Sequence, residues 1–224
     1  MKRIYILIFL GLSLNLPLIG CAQESTKKTS ISDKKTVIEI YKEGEKYYLE
    51  DNSLENYEKA FQLFEQAAQQ GLAIAQNDLA SMYFDGQGTE QNYEKAFFWF
   101  NKAVDQNLPE AQYNLANAYF NGNGVAQDKR KALELYIKAA EQDLPIAQYN
   151  LANAYFSGDG VAQDKKKALE LYTKAAEQGF PDAQYNLAYL YRYDLHDKAK
   201  AIYWYKKAKE NGIELANEAL SEMD

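Results

Sequence analysis

Apolar and polar positions alternate along this chain with two periods at once. The short period is helical. From Pro109 onward, Ala111, Leu115, Ala118 and Tyr119 recur at i, i+4, i+7 and i+8, the stripe that one face of an α-helix presents. Pro109 falls in the first turn, where its missing N–H leaves nothing unpaired. Asn121-Gly122-Asn123-Gly124 then interrupts the pattern with residues that tolerate positive φ. Asp128 suits the N-cap of a second helix, whose apolar face is Ala132, Leu135, Tyr136, Ala139 and Ala140. That helix ends at Asp143, whose counterparts Gly71, Asn107 and Gly179 are residue types that accept a left-handed turn. Small alanines allow close helix approach, and Tyr and Leu fill the seam between neighbours.

The long period is 36 residues: Ala75, Ala111, Ala147 and Ala183 are evenly spaced, as are Leu79, Leu115, Leu151 and Leu187, and Tyr83, Tyr119, Tyr155 and Tyr191. Residues 111–146 and 147–182 differ only at 121, 123, 130, 137, 143, 144 and 146 and their partners. Tyr57-Glu58-Lys59-Ala60-Phe61 returns as Tyr93-Glu94-Lys95-Ala96-Phe97, and Gly44 and Tyr47 stand under Ala80 and Tyr83. A fixed period of this size signals a solenoid, whose units bury their apolar faces only by stacking. The expected units are 35–71, 72–107, 108–143, 144–179 and 180–212, with a cap at 213–224. In the fifth unit Asp194-Leu195-His196 replaces the glycine loop, and three residues are missing. The pattern therefore predicts an all-α chain of about five antiparallel helix pairs and a C-terminal capping helix. In that cap Leu215, Ala216 and Leu220 should face the last pair, and Asn217, Glu218 and Ser221 should face water.

The first 34 residues follow another pattern. Lys2 and Arg3 precede an apolar run from Ile4 to Leu16, then Leu18-Ile19-Gly20-Cys21. Residues 1–20 read as a secretory signal, and the four residues around Cys21 resemble a bacterial lipobox. That resemblance implies lipidation of Cys21 after cleavage, hence membrane attachment through two or three acyl chains. Ala22 after the cysteine points to the outer membrane, facing the periplasm. Residues 21–34 are polar and read as a flexible tether.

Charge narrows the chemistry. Lys plus Arg number 25 against 32 for Asp plus Glu, a net charge of −7, which argues against a nucleic-acid partner. One cysteine rules out an internal disulfide or a Cys-based metal site. His196 is the only histidine, and neither HExxH nor a nucleophile elbow is present, so no catalytic residue, metal ligand or small-molecule cofactor is expected. The Gly-x-Gly pairs lack the third glycine and the lysine of phosphate loops, and the ligand spacing of a calcium loop is absent around Asp159 and Asp164. Lys129-Arg130-Lys131 and Lys165-Lys166-Lys167, flanked by Asp128 and Asp164 before and Glu134 and Glu170 after, read as a solvated, salt-bridged face. Contact with anionic lipid is a secondary reading.

The pattern Ala-x-Tyr-x-Leu-Ala-x-x-Tyr-x-x-Gly-x-Gly-Val-x-x-Asp, followed by Lys-Ala-x-x-x-Tyr-x-Lys-Ala-Ala-Glu-x-Gly, resembles the SEL-one-like repeat, a branch of the tetratricopeptide-like solenoids. It covers about residues 35–222, with departures at Gly88-Thr89 and at Asp194-Leu195-His196. The resemblance implies a right-handed superhelix with a concave face lined by the first helix of each unit, and a role in scaffolding or recognising proteins. Some secreted relatives carry a disulfide in every repeat, which this chain lacks. On such a face the non-core positions form ladders: Tyr113, Tyr149 and Tyr185; Asn114, Asn150 and Asn186; Asn117 and Asn153 with Tyr189; Phe84, Phe120 and Phe156 with Arg192. Asparagine pairs with both groups of a peptide bond, so these ladders suit an extended partner segment with aromatic anchors beside it. Seam packing for the Tyr and Phe positions, and duplicated surface for the Asn positions, are the competing readings. The expected function is a lipid-anchored envelope scaffold or adaptor, a modulator or toxin-neutralising partner included. A cell-wall hydrolase of β-lactamase-like activity and a passive spacer are the alternatives.

Overall fold

The computed structural model describes residues 35–51 and 53–223. The expected signal segment, Cys21 and the tether lie outside the described residues. Within 35–223 the chain forms eleven helices among the described residues: α1 (Val37–Glu50), α2 (Leu54–Gln69), α3 (Ala73–Asp85), α4 (Tyr93–Asp105), α5 (Pro109–Asn121), α6 (Lys129–Glu141), α7 (Pro145–Ser157), α8 (Lys165–Glu177), α9 (Pro181–Tyr193), α10 (Lys198–Glu210) and α11 (Leu215–Ser221). Each helix packs mainly on the one before and the one after it. This is the all-α solenoid that the period predicts, five helix pairs and a terminal helix. Odd-numbered helices open each unit and are called A helices below; α2, α4, α6, α8 and α10 are the B helices.

Local chemistry sets the boundaries. Every B helix has a side-chain N-cap: Ser53, Asn92, Asp128, Asp164 and Asp197 accept the backbone N–H three residues on. The A helices α5, α7 and α9 begin instead with proline, behind Leu108, Leu144 and Phe180. The turn from A to B needs both glycines, for different reasons. Gly122 ends α5 in the left-handed region at φ 72°. Gly124, also at positive φ, lies against the previous unit: an added Cβ would stand 2.4 Å from the Tyr93 ring. The turn from B to A uses the same backbone region with other residues, and Asn107 and Asp143 both sit at φ 60°. In unit five His196 takes positive φ in the shortened loop, at 54°.

The core repeats as rungs. Ala60, Ala96, Ala132, Ala168 and Ala201 of the B helices are wholly buried, as are Ala75, Ala111, Ala147 and Ala183 of the A helices. One turn after each B-helix alanine stands a buried aromatic: Phe64, Phe100, Tyr136, Tyr172 or Tyr205. Leu79, Leu115, Leu151 and Leu187 meet them from the A side. Each such leucine removed from water stabilises the stack by about 1.5–3 kcal/mol.

A polar ladder runs through this core that the apolar pattern does not announce. Gln76, Gln112, Gln148 and Gln184 are all buried. Gln76, Gln148 and Gln184 each donate to a carbonyl of the preceding B helix, at Ala68, Ala140 and Ala176; Gln112 donates to Asn107 Oδ1. Each accepts in turn from the C-cap residue of its own unit's B helix: Gln106, Gln142, Gln178 and Asn211, at 2.8–2.9 Å. At Gln76, Gln148 and Gln184 three helices are thus tied at one residue, and in all four the carboxamide is satisfied on both sides.

Two expectations change. Leu215 is 59 % exposed. The short α11 turns Ala216 and Ala219 inward, with Leu220 partly covered and Met223 buried behind them; that i, i+3, i+4, i+7 stripe leaves Leu215 about a quarter-turn outside. The basic clusters also pair differently. Lys129 reaches Asp159 of the next unit's loop at 2.6 Å, and Lys165 reaches Asp194 likewise. Asp128 and Asp164 spend their side chains on N-caps. Lys131 lies 4.2 Å over the Tyr119 ring and donates to its hydroxyl. The cations join units and helices rather than lacing one helix face.

Candidate functional site: the A-helix face

Tyr113, Asn114 and Asn117 lie on α5 one to five residues beyond the buried Gln112, turned out of the core yet only partly exposed. The same places on α7 are Tyr149, Asn150 and Asn153, and on α9 Tyr185, Asn186 and Tyr189. These positions join into a continuous strip. Asn114 donates to Asn77 Oδ1 at 2.9 Å, and Asn186 donates to Asn153 Oδ1 at 3.3 Å. At the first unit Tyr41 donates to Asp78 at 2.8 Å. Asp78 occupies in α3 the place that Asn114, Asn150 and Asn186 hold in the later units.

Between units three and four the strip opens into a cleft of about 340 Å³, lined by Asn117, Phe120, Asn121, Tyr136, Asn150, Asn153, Ala154, Ser157 and Asp159. Its two deep asparagines are oriented from below. The buried Tyr136 hydroxyl donates to Asn117 Oδ1, and Tyr172 does the same to Asn153. The amide NH2 groups of Asn117 and Asn153 are therefore left to donate outward. Burial pushes both phenols well above their ordinary range, so they stay protonated donors. Asn150 is uncommitted: no hydrogen bond joins its side chain to another described residue, and it lines the cleft. The chemistry on offer is peptide-like pairing of amide with amide.

The aromatic ladders divide. Tyr113 packs on Tyr136, Tyr149 on Tyr172 and Phe180, and Tyr185 on Tyr205, with centroids 5.2–6.0 Å apart. Phe120 packs at a tilt on Tyr136, and Phe84 packs edge-on against Tyr93 and Phe100. These rings serve the seam and show one edge to the face. Tyr189 is 42 % exposed and lies against Tyr193, centroids 4.6 Å apart. Arg192 points to the other end of the molecule's last seam: it donates to the Ala219 carbonyl at 3.2 Å and pairs with Glu222, clamping α11.

The acid in the strip is perturbed. Burial raises Asp78 to a pKa of about 6, against the hydrogen bonds from Tyr41 and Asn77, and the nearby Glu45 and Glu110 push it the same way as burial. Sequence reading by ladders passed over Asp78 because it breaks the asparagine series. That break, one acid in a column of amides, is the signal by which it is found.

The Sel1 repeat profile matches five consecutive segments, residues 42–72, 73–108, 109–144, 145–180 and 181–213. A Sel1 repeat protein from Oxalobacter formigenes shares 31 % identity over 81 % of this chain and 75 % of its own, with a TM-score of 0.74. A protective antigen of uropathogenic Escherichia coli with the same repeat fold shares 33 % identity over 84 % of this chain, at a TM-score of 0.71; the match spans only 41 % of that protein's length. An immunity protein of Pseudomonas aeruginosa aligns at 26 % identity over 80 % of this chain and 66 % of its own, with a TM-score of 0.59. A comparison with curated proteins found no match.

Proposed function

Since the chain belongs to the Sel1 repeat family, whose members act as protein–protein interaction scaffolds, we propose that it is a lipid-anchored adaptor of a bacterial envelope that holds a partner protein on its A-helix face. The observation that carries this reading is the cleft at Asn117, Asn150 and Asn153, where buried tyrosines fix amide donors outward and one carboxamide is left uncommitted. An amide-lined strip binds main chain without chemistry, and anchoring through Cys21 would raise the effective concentration of a membrane-bound partner. Replacing Cys21 by Ser should release the protein from membranes; continued membrane fractionation would refute the anchor. The site itself is tested by crosslinking from intact envelopes with the lipidated protein and an Asn150→Arg variant. Asn150 is chosen because its loss breaks no internal bond. A partner captured by the first and lost by the second supports the reading; equal capture by both moves the site off this face.

The likeness to an immunity protein favours one specific role among adaptors, neutralisation of an incoming toxin. Cells lacking the protein would then be killed by competitors that spare the parent strain. Equal survival of both strains sinks that role and leaves the adaptor reading in place.

A further inference from the structure

Charge is distributed unevenly among the helices. The A helices α3, α5 and α7 carry Asp78, Asp85 and Glu110 and no lysine or arginine, whereas α6 and α8 each open with three consecutive cations. Tyr41 of α1 donates to Asp78, and Asn114 of α5 donates to its neighbour Asn77, so Glu45, one turn after Tyr41, and Glu110, one turn before Asn114, are brought towards Asp78 from the two flanking A helices. Two cations along the strip are already engaged: Lys129 pairs with Asp159 at the cleft rim, and Arg192 is held by Ala219 and Glu222 and lies 4.8 Å over the Tyr193 ring. The opposite end of the strip is aromatic. Tyr185, Tyr189 and Tyr193 follow at i, i+4 and i+8 on α9, and the last two are 42 % and 48 % exposed. The amide cleft lies between these ends.

Building on the scaffold reading above, we propose that the A-helix face binds an extended peptide segment bearing lysine or arginine at one end and an apolar side chain at the other. The cationic end lies over Glu45, Asp78 and Glu110, the main chain runs along Asn117, Asn150 and Asn153, and the apolar side chain rests on Tyr189 and Tyr193. An ammonium or guanidinium relieves the mutual repulsion of the three acids, and an anionic segment adds to it. The amides read backbone only, so the two ends set the selectivity. Rigid phenol rings with few rotatable bonds suit the apolar anchor.

The test uses the full chain in detergent and a fluorescent peptide about a dozen residues long, at about 3.3 Å per extended residue. The peptide has two lysines at one end, a serine–glycine centre and two phenylalanines at the other; a second probe carries glutamates in place of the lysines. The lysine probe should bind and the glutamate probe should not. Glu45→Gln with Glu110→Gln should weaken the lysine probe about tenfold, and Tyr189→Ser should weaken it comparably. Glu134→Gln with Glu170→Gln, which removes equal charge from the B helices, should leave binding unchanged. Equal binding of both probes, or equal weakening by the B-helix pair, overturns the proposal. If an envelope partner is lost with Asn150→Arg while the lysine probe fails to bind, the scaffold reading stands and this selectivity falls. Helical circular dichroism of each variant separates lost binding from lost folding.

Discussion

Two polar ladders run side by side on the same A helices, two residues apart, and they behave oppositely. Gln112, Gln148 and Gln184 point into the core, are buried, and have both ends of each carboxamide paired. Asn114, Asn150 and Asn186 point outward, are partly exposed, and their pairing changes from unit to unit. The glutamine series continues unbroken into unit two as Gln76; the asparagine series there becomes Asp78. The same helix thus carries one ladder that geometry holds fixed and one that geometry leaves open. A fully satisfied buried amide tolerates no substitute, because any change orphans a partner. An outward amide with spare capacity is where a partner can be met.

The largest effect should come from placing the same change on each ladder. Gln148→Glu puts a carboxylate beside the Ala140 carbonyl and the Asp143 carboxylate, with the Gln178 amide as its fitting donor. It should cost more than about 3 kcal/mol at pH 7, and less at acid pH where the group protonates. Asn150→Asp, two residues on, should shift stability by less than about 0.5 kcal/mol. Urea denaturation of both variants at pH 5 and pH 8 measures the contrast. Comparable losses at the two sites would erase the distinction between ladders.

Asp78 sharpens the comparison from the other side. Its folded pKa of about 6 exceeds the unfolded value of 3.8, so the folded state holds the proton more tightly. Stability is therefore lost as pH rises from about 4 to 6, and the loss is complete above that window. A shift of about two units corresponds to roughly 3 kcal/mol at about 1.4 kcal/mol per unit. Asp78→Asn, which restores the residue of units three to five, gives up the bond from Asn77 and should stabilise the chain by about 2 kcal/mol at pH 7.5. At pH 3.5 the gain should vanish. A gain of equal size at both pH values would show that packing, rather than ionisation, sets the difference.

Tyr136 links the core to the open face, with its ring in the core and its hydroxyl on Asn117. Tyr136→Phe should cost about 1 kcal/mol and free the Asn117 carboxamide, weakening capture at the cleft while the melting transition stays cooperative. Unchanged capture would show that fixing the amide does not matter.

Sequence reading recovered the core ladder's neighbours better than the ladder itself. Ala111, Leu115, Tyr136 and Ala139 are legible because burial of apolar groups imposes a 3.6-residue stripe, and that stripe is where the structure places the core. The glycine and asparagine turns are legible because positive φ restricts residue type. The buried glutamines were not, because a polar residue on an apolar face signals burial only once its partner is known, and the partners stand thirty residues away. Leu215 misled for a related reason: a seven-residue helix has too few turns for its period to fix a face. On the A-helix face the asparagine columns were visible, but which amides were spent internally was not.

The smallest effect concerns the bridges that join units at the surface. Lys129 and Asp159 are each more than a third exposed as side chains, at 36 % and 40 %, so water and salt screen their attraction. Lys129→Ala should cost less than about 1 kcal/mol, and the cost should shrink further in 0.5 M salt. The pair nevertheless closes one rim of the cleft, and Asp159 without its lysine adds a free acid beside Asn117 and Asn153. A cationic segment bound to this face should then be held more tightly, even as the fold weakens slightly. Stability and binding would move in opposite directions in a single variant, as the division between a fixed core ladder and an open face ladder requires. A variant that lost both together would place the bridge, and the cleft it borders, on the structural side of that division.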